Sequence, residues 1–213
     1  EININSSTGV LTFASAPDYE TKSSYVATVT ASDGNSSANQ NITVNINNLN
    51  DNTPSFSSSP SFNVDENQTL IGVVNATDGD GDSITYAISG SEININSSTG
   101  VLTFVSSPDY ETKSSYSTSV TASDGGNSTS QNIIVSINNL NDNNPIINSS
   151  SSFSIDENET AIGTVTATDA DGDSLTYSIS GSEININSST GVMTFASAPD
   201  YETKSSYSAT VTA

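Results

Sequence analysis

The sequence predicts an all-β protein made of tandem two-sheet sandwiches, and three observations predict it. The string Glu-Ile-Asn-Ile-Asn-Ser-Ser-Thr-Gly-Val begins at Glu1, Glu92 and Glu183, a constant period of 91 residues. A repeat of that length is a whole domain, too long for a solenoid turn and close to the ~100 residues of an immunoglobulin-like Greek-key β-sandwich. Within it the apolar residues alternate or fall in short runs and never sustain a helical period, while Gly, Asn, Asp and Ser fill the turns.

Each strand of the complete unit, which runs from about Pro54 to Asn143, has its own local warrant. Ser61–Val64 reads as a first strand and Thr69–Thr77 as a second. Ser83–Ser89 reads as a third, with Ile84, Tyr86 and Ile88 alternating. Glu92–Ile95 and Val101–Phe104 flank the turn Asn96-Ser97-Ser98-Thr99-Gly100, and Tyr116–Ala122 and Asn132–Ile137 complete about seven strands. Thr, Val, Ile, Ser and Tyr dominate these segments, as a pleated, half-buried surface requires.

The repeat also divides the chain. The expected domains are 1–52, the C-terminal part of a sandwich entered at its fourth strand; 53–143, a complete sandwich; and 144–213, a sandwich without its last strand. Residues 1–25 and 183–207 differ only at Leu11/Met193. Such near-identity points to recent tandem duplication and so to a longer array. The two incomplete sandwiches are expected to carry open sheet edges.

Composition narrows the chemistry. The chain has 213 residues, 24 Asp+Glu against 3 Lys+Arg, and a formal net charge of −21. Nothing here could neutralise phosphates, so nucleic acid is excluded as a partner, and an anionic membrane surface is disfavoured. There is no Cys and no His, which removes disulfides, thiolate and imidazole metal sites, and the Ser-His-Asp and Cys-His catalytic arrangements. The remaining metal chemistry is that of carboxylate, amide and carbonyl oxygen, the ligand set of Ca²⁺. No apolar run of about 18 residues is present, so no direct membrane insertion of this segment is expected.

The acids are not scattered. Asp65-Glu66-Asn67 follows the first strand and recurs as Asp156-Glu157-Asn158. Asp78-Gly-Asp80-Gly-Asp82 recurs as Asp169-Ala-Asp171-Gly-Asp173. Pro-Asp-Tyr-Glu places Asp18/Glu20, Asp109/Glu111 and Asp200/Glu202, and Asp33 and Asp124 stand alone in Thr-Ala-Ser-Asp-Gly. Each unit closes with Asn48-Leu-Asn50-Asp51-Asn52 or Asn139-Leu-Asn141-Asp142-Asn143. Singly, these are ordinary turns and polar linkers. The EF-hand reading of Asp78 onward fails, because Ser83 and Ser89 stand where Gly and Glu are needed.

Together, in this order and at one domain period, the motifs resemble cadherin repeats over the whole chain, most closely the cadherin-like domains of large bacterial surface proteins. The resemblance implies up to three Ca²⁺ at each junction of successive repeats. The implied first ligand set is Asp18, Glu20, Asn50, Asp51, Asn52, Asp78, Asp80 and Asp124. The second is Glu66, Asp109, Glu111, Asn141, Asp142, Asn143, Asp169 and Asp171, with Glu157, Asp200 and Glu202 as half of a third. Asn48 and Asn139 stand where the family usually has Asp, which would leave one ion of the three weak or absent. Asp82 and Asp173 are additions that either bind directly or cap the turn.

The implied function is a Ca²⁺-rigidified stalk or adhesin segment in cell adhesion, extracellular and part of a larger secreted or membrane-anchored protein. Its partners would be neighbouring repeats of the same chain and another cell-surface protein or polysaccharide. The alternative is a carbohydrate-binding module, which would want exposed aromatics; the chain has no Trp, and Phe62, Tyr86, Phe104 and Tyr116 fall on strands. No enzymatic role is expected. Lys22, Lys113 and Lys204 follow Asp-Tyr-Glu by two residues and read as solvated partners of that acidic cluster.

Overall fold

A computed structural model describes residues 1–213. The chain folds into strands and turns without a helix, and therefore has none long and apolar enough to cross a membrane. It divides into two compact units, one formed by residues 1–108 and 115–136, the other by 109–114 and 137–213.

In the first unit the strands are β1 (Ile2–Ile4), β2 (Leu11–Phe13), β3 (Ser24–Ser32), β4 (Ser37–Asn45), β5 (Ser55–Phe56) and β6 (Ser61–Asp65). They continue with β7 (Leu70–Val73), β8 (Ala76–Thr77), β9 (Thr85–Ile88), β10 (Ile93–Ile95), β11 (Val101–Phe104), β12 (Ser115–Ser123) and β13 (Ser128–Asn138). One sheet has the order β10-β11-β7 and the other β6-β13-β12-β9, and the pairs β10–β11, β11–β7, β12–β13 and β12–β9 are antiparallel. The non-sequential order β6-β13-β12-β9 is that of an immunoglobulin-like sandwich.

Both sheets send their inward residues into one core. Leu102, Val74, Val120, Ile133 and Val135 are fully excluded from solvent, with Ile93 and Phe104 at 4 % exposure. On β13 the alternation is clean: Ile133, Val135 and Ile137 are buried, Ile134 and Ser136 exposed. Phe104 meets Tyr116 at 4.9 Å between ring centroids, and the Tyr86 hydroxyl accepts the Ala76 N–H at 2.9 Å. The strand aromatics thus pack into the fold.

The sequence expectation of a single second strand over Thr69–Thr77 is corrected. The strand breaks at Val74-Asn75: β7 pairs β11, whereas β8 pairs β5. The break is held by Gly100, whose N–H and C=O both bond locally, the latter accepting from Val74 N–H at 3.0 Å. Gly100 has φ +68°, and a Cβ there would lie 2.2 Å from the Val74 carbonyl oxygen. Only glycine fits both the left-handed backbone and that approach. Asn96 sets the same turn, accepting the Ser98 and Thr99 N–H groups on Oδ1 at 3.0 Å each.

The same unit contains the β1–β2 pair and the nine-residue β3–β4 hairpin, which pairs from Ser24↔Asn45 to Ser32↔Ser37. Thr28 and Thr30 hydroxyls reach Asn41 and Asn39 across the hairpin at 2.7 Å.

The second unit has β14 (Ile146–Ile147), β15 (Ala161–Thr164), β16 (Ala167–Thr168), β17 (Ser178–Ile179), β18 (Ile184–Ile186), β19 (Val192–Phe195) and β20 (Val211–Thr212). Its sheets are β15-β19-β18, β14-β16 and β17-β20. Its buried apolar residues are Ile137, Val165 and Met193, at 5 % exposure each.

Candidate metal centre

The linker residues 48–52 and the loop 78–82, both in the first unit, meet at Asp80. The Asn52 side-chain amide donates to Asp80 Oδ1 at 2.8 Å, and the Asn52 and Asp51 N–H groups donate to Oδ2 at 2.8 and 3.0 Å. Asn48 donates its side-chain amide to the Asp80 carbonyl at 2.9 Å. These donors hold the Asp80 carboxyl below the usual carboxylate range, the Asn52 amide foremost, against the opposing effect of desolvation.

Carboxylate oxygens converge around this point. Glu20, Asp51 and Asp80 place one oxygen each within 4.8 Å of one another, as do Asp78, Asp80 and Asp82. Glu20 is pushed above its ordinary value. Its own backbone amide lowers it, but desolvation and the neighbouring Asp18 and Asp80 outweigh that. Asp18 itself is turned into its own loop, with Thr21 Oγ1 donating to Oδ2 at 2.8 Å and the Glu20 and Thr21 N–H groups on Oδ1.

Two further acids complete the first set. Asp78 Oδ1 accepts the Asp80 N–H at 2.9 Å, and Asp124 Oδ1 accepts the Gly126 N–H at 2.7 Å together with that of Asn127. The second oxygen of each, Asp78 Oδ2 and Asp124 Oδ2, is buried without a hydrogen-bond partner. A buried carboxylate oxygen with no donor is costly. Hard oxygen donors with two such atoms among them suit Ca²⁺ and neither a soft metal nor an organic group.

The second unit repeats the arrangement. Asn143 donates its side-chain amide to Asp171 Oδ1 at 2.8 Å and its N–H to Oδ2 at 2.8 Å, with the Asp142 N–H on Oδ2 at 3.1 Å. Asn139 donates to the Asp171 carbonyl at 2.8 Å, and Asn141 to Asp173 Oδ2. Glu111, Asp142 and Asp171 gather oxygens within 4.8 Å, and so do Glu157, Asp200 and Glu202. Asp109 is bound to the Thr112 hydroxyl at 2.9 Å and Asp200 to that of Thr203 at 2.9 Å. Glu66, which belongs to the first unit, is buried at 1 % exposure, the one charged side chain in the core. Asp169 Oδ1 accepts the Asp173 N–H at 3.3 Å.

Two features escaped the sequence reading. Asn127 donates its side-chain amide to Asn50 Oδ1 at 2.8 Å and to the Asn52 carbonyl at 3.1 Å, fastening the linker from the β12–β13 turn. The only sequence signal was the position itself, two residues past Gly125, where the preceding repeat has Ser36. The lysine reading is also corrected. Lys22 Nζ pairs with Glu1 at 2.7 and 2.6 Å and lies 4.5 Å over the Tyr25 ring, and Lys204 does the same with Glu183 and Tyr207. Antiparallel pairing of the Glu-bearing strand beside the lysine loop, not attraction to Asp-Tyr-Glu, selects the partner.

A two-sheet sandwich with oxygen-rich acidic clusters at its linkers defines the class as a tandem β-sandwich repeat. Residues 60–138 match the cadherin domain family, and that stretch is a cadherin domain. Protocadherin Fat 4 of Homo sapiens is 39 % identical over 133 residues, covering 56 % of this chain and 3 % of that protein. The protocadherin-like wing polarity protein stan of Drosophila melanogaster is 29 % identical over 241 residues, covering 100 % of this chain and 7 % of its own length. The crystal structure of mouse cadherin-23 EC22-24 superposes with a TM-score of 0.75 at 29 % identity, covering 94 % of this chain and 73 % of that one. The chain therefore spans a small part of the curated relatives it matches, and these relatives are animal proteins.

Proposed function

We propose that this chain is a Ca²⁺-stiffened segment of extracellular cadherin-type repeats in a cell-adhesion protein, with repeats at 1–52, 53–143 and 144–213. The observation that supports it is the clamp of Asn52 on Asp80, repeated by Asn143 on Asp171, inside carboxylate clusters that would repel one another without a counter-charge. Ca²⁺ would be held at the first set by Glu20, Asp51, Asp78, Asp80 and Asp124 and at the second by Glu111, Asp142, Asp169 and Asp171. The ion supplies positive charge and hard-ligand cross-linking. The chain's own part is to pre-position those oxygens: Asn48, Asn52 and Asn127 hold the linker against the loop.

Asn48 and Asn139 bear on stoichiometry. Each spends its amide on a backbone carbonyl and adds no charge, which supports fewer than three strongly held ions per set. Kinship with bacterial surface proteins is a finer reading, supported by the string Ala167-Thr-Asp-Ala-Asp-Gly-Asp-Ser-Leu-Thr-Tyr177. The binding partner, another surface protein or a polysaccharide, follows from the adhesive role of the relatives and is a proposal of the same standing. No residue here is given a catalytic role.

Limited proteolysis tests the stiffening directly. An Asp-specific endoprotease should cut at Asp51 and Asp142 in chelator and be strongly slowed there by millimolar Ca²⁺ but not by Mg²⁺. Equal cleavage in the two conditions would overturn the reading.

A further inference from the structure

In both units a short strand after the linker pairs with another, and that pair carries a reciprocal substitution. In the first unit β5 pairs β8 through Ser55↔Thr77 and Phe56↔Ala76, and the Ser57 N–H extends the ladder onto the Asn75 carbonyl at 2.9 Å. In the second unit β14 pairs β16 through Ile146↔Thr168 and Ile147↔Ala167, and the Asn148 N–H reaches the Thr166 carbonyl at 2.8 Å. The 91-residue period makes Ser57 the counterpart of Asn148, and Asn75 that of Thr166. Each unit therefore holds one asparagine at the same cross-strand pair, on opposite strands of it.

Both asparagines open the triplet Asn-X-Ser/Thr, as Asn75-Ala76-Thr77 and Asn148-Ser149-Ser150. The counterparts Ser57-Ser58-Ser59 and Thr166-Ala167-Thr168 lack it by that single residue. The chain has ten such triplets, as its wealth of Asn and Ser makes inevitable. These two are set apart because they reach one place from two strands.

The local geometry suits a substituent. Alternation puts the first and third residues of an extended triplet on one side and the middle residue on the other. Asn75 and Thr77 are exposed, while Ala76 is partly buried with its N–H on the Tyr86 hydroxyl at 2.9 Å. Asn148 and Ser150 are exposed, while Ser149 Oγ is buried. The Asn75 backbone is anchored, its carbonyl by Ser57 and its N–H on Ser58 Oγ at 3.1 Å, and its side-chain amide is free of protein hydrogen bonds. Asn148 gives one Nδ2 hydrogen to Thr168 Oγ1 at 2.9 Å and keeps the other. Asn127, in a third triplet, differs. Its Nδ2 makes both linker bonds, at 2.8 and 3.1 Å, so replacing either hydrogen would loosen the linker.

We infer that Asn75 and Asn148 are acceptors of N-linked oligosaccharide. In the transfer Nδ2 bonds the anomeric carbon of a polyprenyl-pyrophosphate-linked oligosaccharide. The bond from that carbon to the pyrophosphate oxygen breaks, its electron pair leaves on the oxygen, and Nδ2 gives up one proton. The product amide keeps its carbonyl and one N–H, which is all that Asn148 uses toward Thr168. The glycan has a physical task at this point. The strands β5, β8, β14 and β16 have two residues and one partner each. Ile146, 65 % exposed, stands two residues before Asn148, and Val73, 41 % exposed, two before Asn75. A bulky, hydrated substituent covers such an edge and the apolar side chain beside it. The proposal uses no metal-site residue. It rests on the extracellular reading of the chain, because the lipid-linked donor meets chains on their way across a membrane.

Peptide mapping of the protein taken from the surface of the cells that make it tests this. Surface proteins are biotinylated, captured, treated with peptide N-glycosidase in heavy-oxygen water and digested, so that each occupied asparagine reads as labelled Asp. Label is expected on most copies of Asn75 and Asn148 and on none of Asn127. The secreted full chain carrying Asn75→Gln and Asn148→Gln should lose the mass of two glycans, and the wild-type mapping stands whether or not that variant folds. A surface chain unlabelled at Asn75 or Asn148, or labelled at Asn127, overturns the proposal and leaves the extracellular reading intact. A chain absent from the surface pool overturns both.

Discussion

Asn52 grips Asp80 with two of its own groups, its side-chain amide on Oδ1 and its backbone N–H on Oδ2, each at 2.8 Å. The pair Asn143–Asp171 reproduces both distances in the other unit. Such a fork fixes the carboxylate plane, so the linker and the 78–82 loop share one orientation before any ion arrives. Asp80→Asn keeps the shape but puts an amide N–H against one of those donors. The expected outcome is a lower melting temperature in chelator and a loss of most of the Ca²⁺-induced rise, both read by differential scanning calorimetry.

Asn127 should matter independently of the ion. Its amide ties the β12–β13 turn to Asn50 and to the Asn52 carbonyl. Asn127→Ala removes these neutral hydrogen bonds, and a loss of about 1 kcal/mol is expected. Urea unfolding in chelator and in Ca²⁺ should show the loss in both.

Gly79 is closely approached, since a Cβ there would meet Asn52 Cγ at 2.9 Å. Yet Ala170 occupies the same repeat position, with Asn143 still 2.8 Å from Asp171. The Asn52 side chain should therefore give by a few tenths of an ångström. Gly79→Ala is expected to change stability by less than about 0.5 kcal/mol, measured by urea unfolding.

The core makes the opposite demand. Ile133 is fully buried and central on β13, so Ile133→Ala should cost about 2–5 kcal/mol through lost transfer energy and a residual cavity. Exposed Ile134 on the same strand should tolerate Ala with little change, and the contrast between the two is the check.

Acid should destabilise the metal-free chain. Asp80, Asp124 and Asp171 have folded-state pKa values below their ordinary 3.8, with hydrogen-bond donors outweighing desolvation. Near and below that value the unfolded chain binds more protons than the folded one, so stability present above pH 3.8 is lost as pH falls through the depressed values. Glu20 is raised and works the other way, gaining stability on protonation. The depressed groups outnumber it, so the melting temperature in chelator should fall below about pH 4, with Glu20→Gln steepening that fall.

Much of this was legible because it repeats. The period of 91 residues, the period-two strands and the turn Asn96–Gly100 all follow from local chemistry that recurs, and the strands Val101–Phe104 and Tyr116–Ala122 lie where alternation puts them. The break at Val74-Asn75 was hidden, because Val73, Val74 and Ala76 read as one apolar run while their hydrogen bonds go to β11 and β5. Asn127 was hidden for a different reason. Its partner Asn50 is 77 residues away, and the preceding repeat has Ser there, so neither proximity nor repetition marked it. Glu1 was passed over as the partner of Lys22 because strand pairing, not sequence distance, brings them together across 21 residues.

A thermal melt of the full chain with Ca²⁺ titrated from chelator to millimolar, beside the Asp80→Ala plus Asp171→Ala variant, tests the central claim most directly. The account predicts a saturable rise in melting temperature with a midpoint on the order of 10⁻⁴–10⁻³ M, absent in the variant. A flat response, or one that Mg²⁺ reproduces equally, would contradict it and leave the acids as a solvated surface.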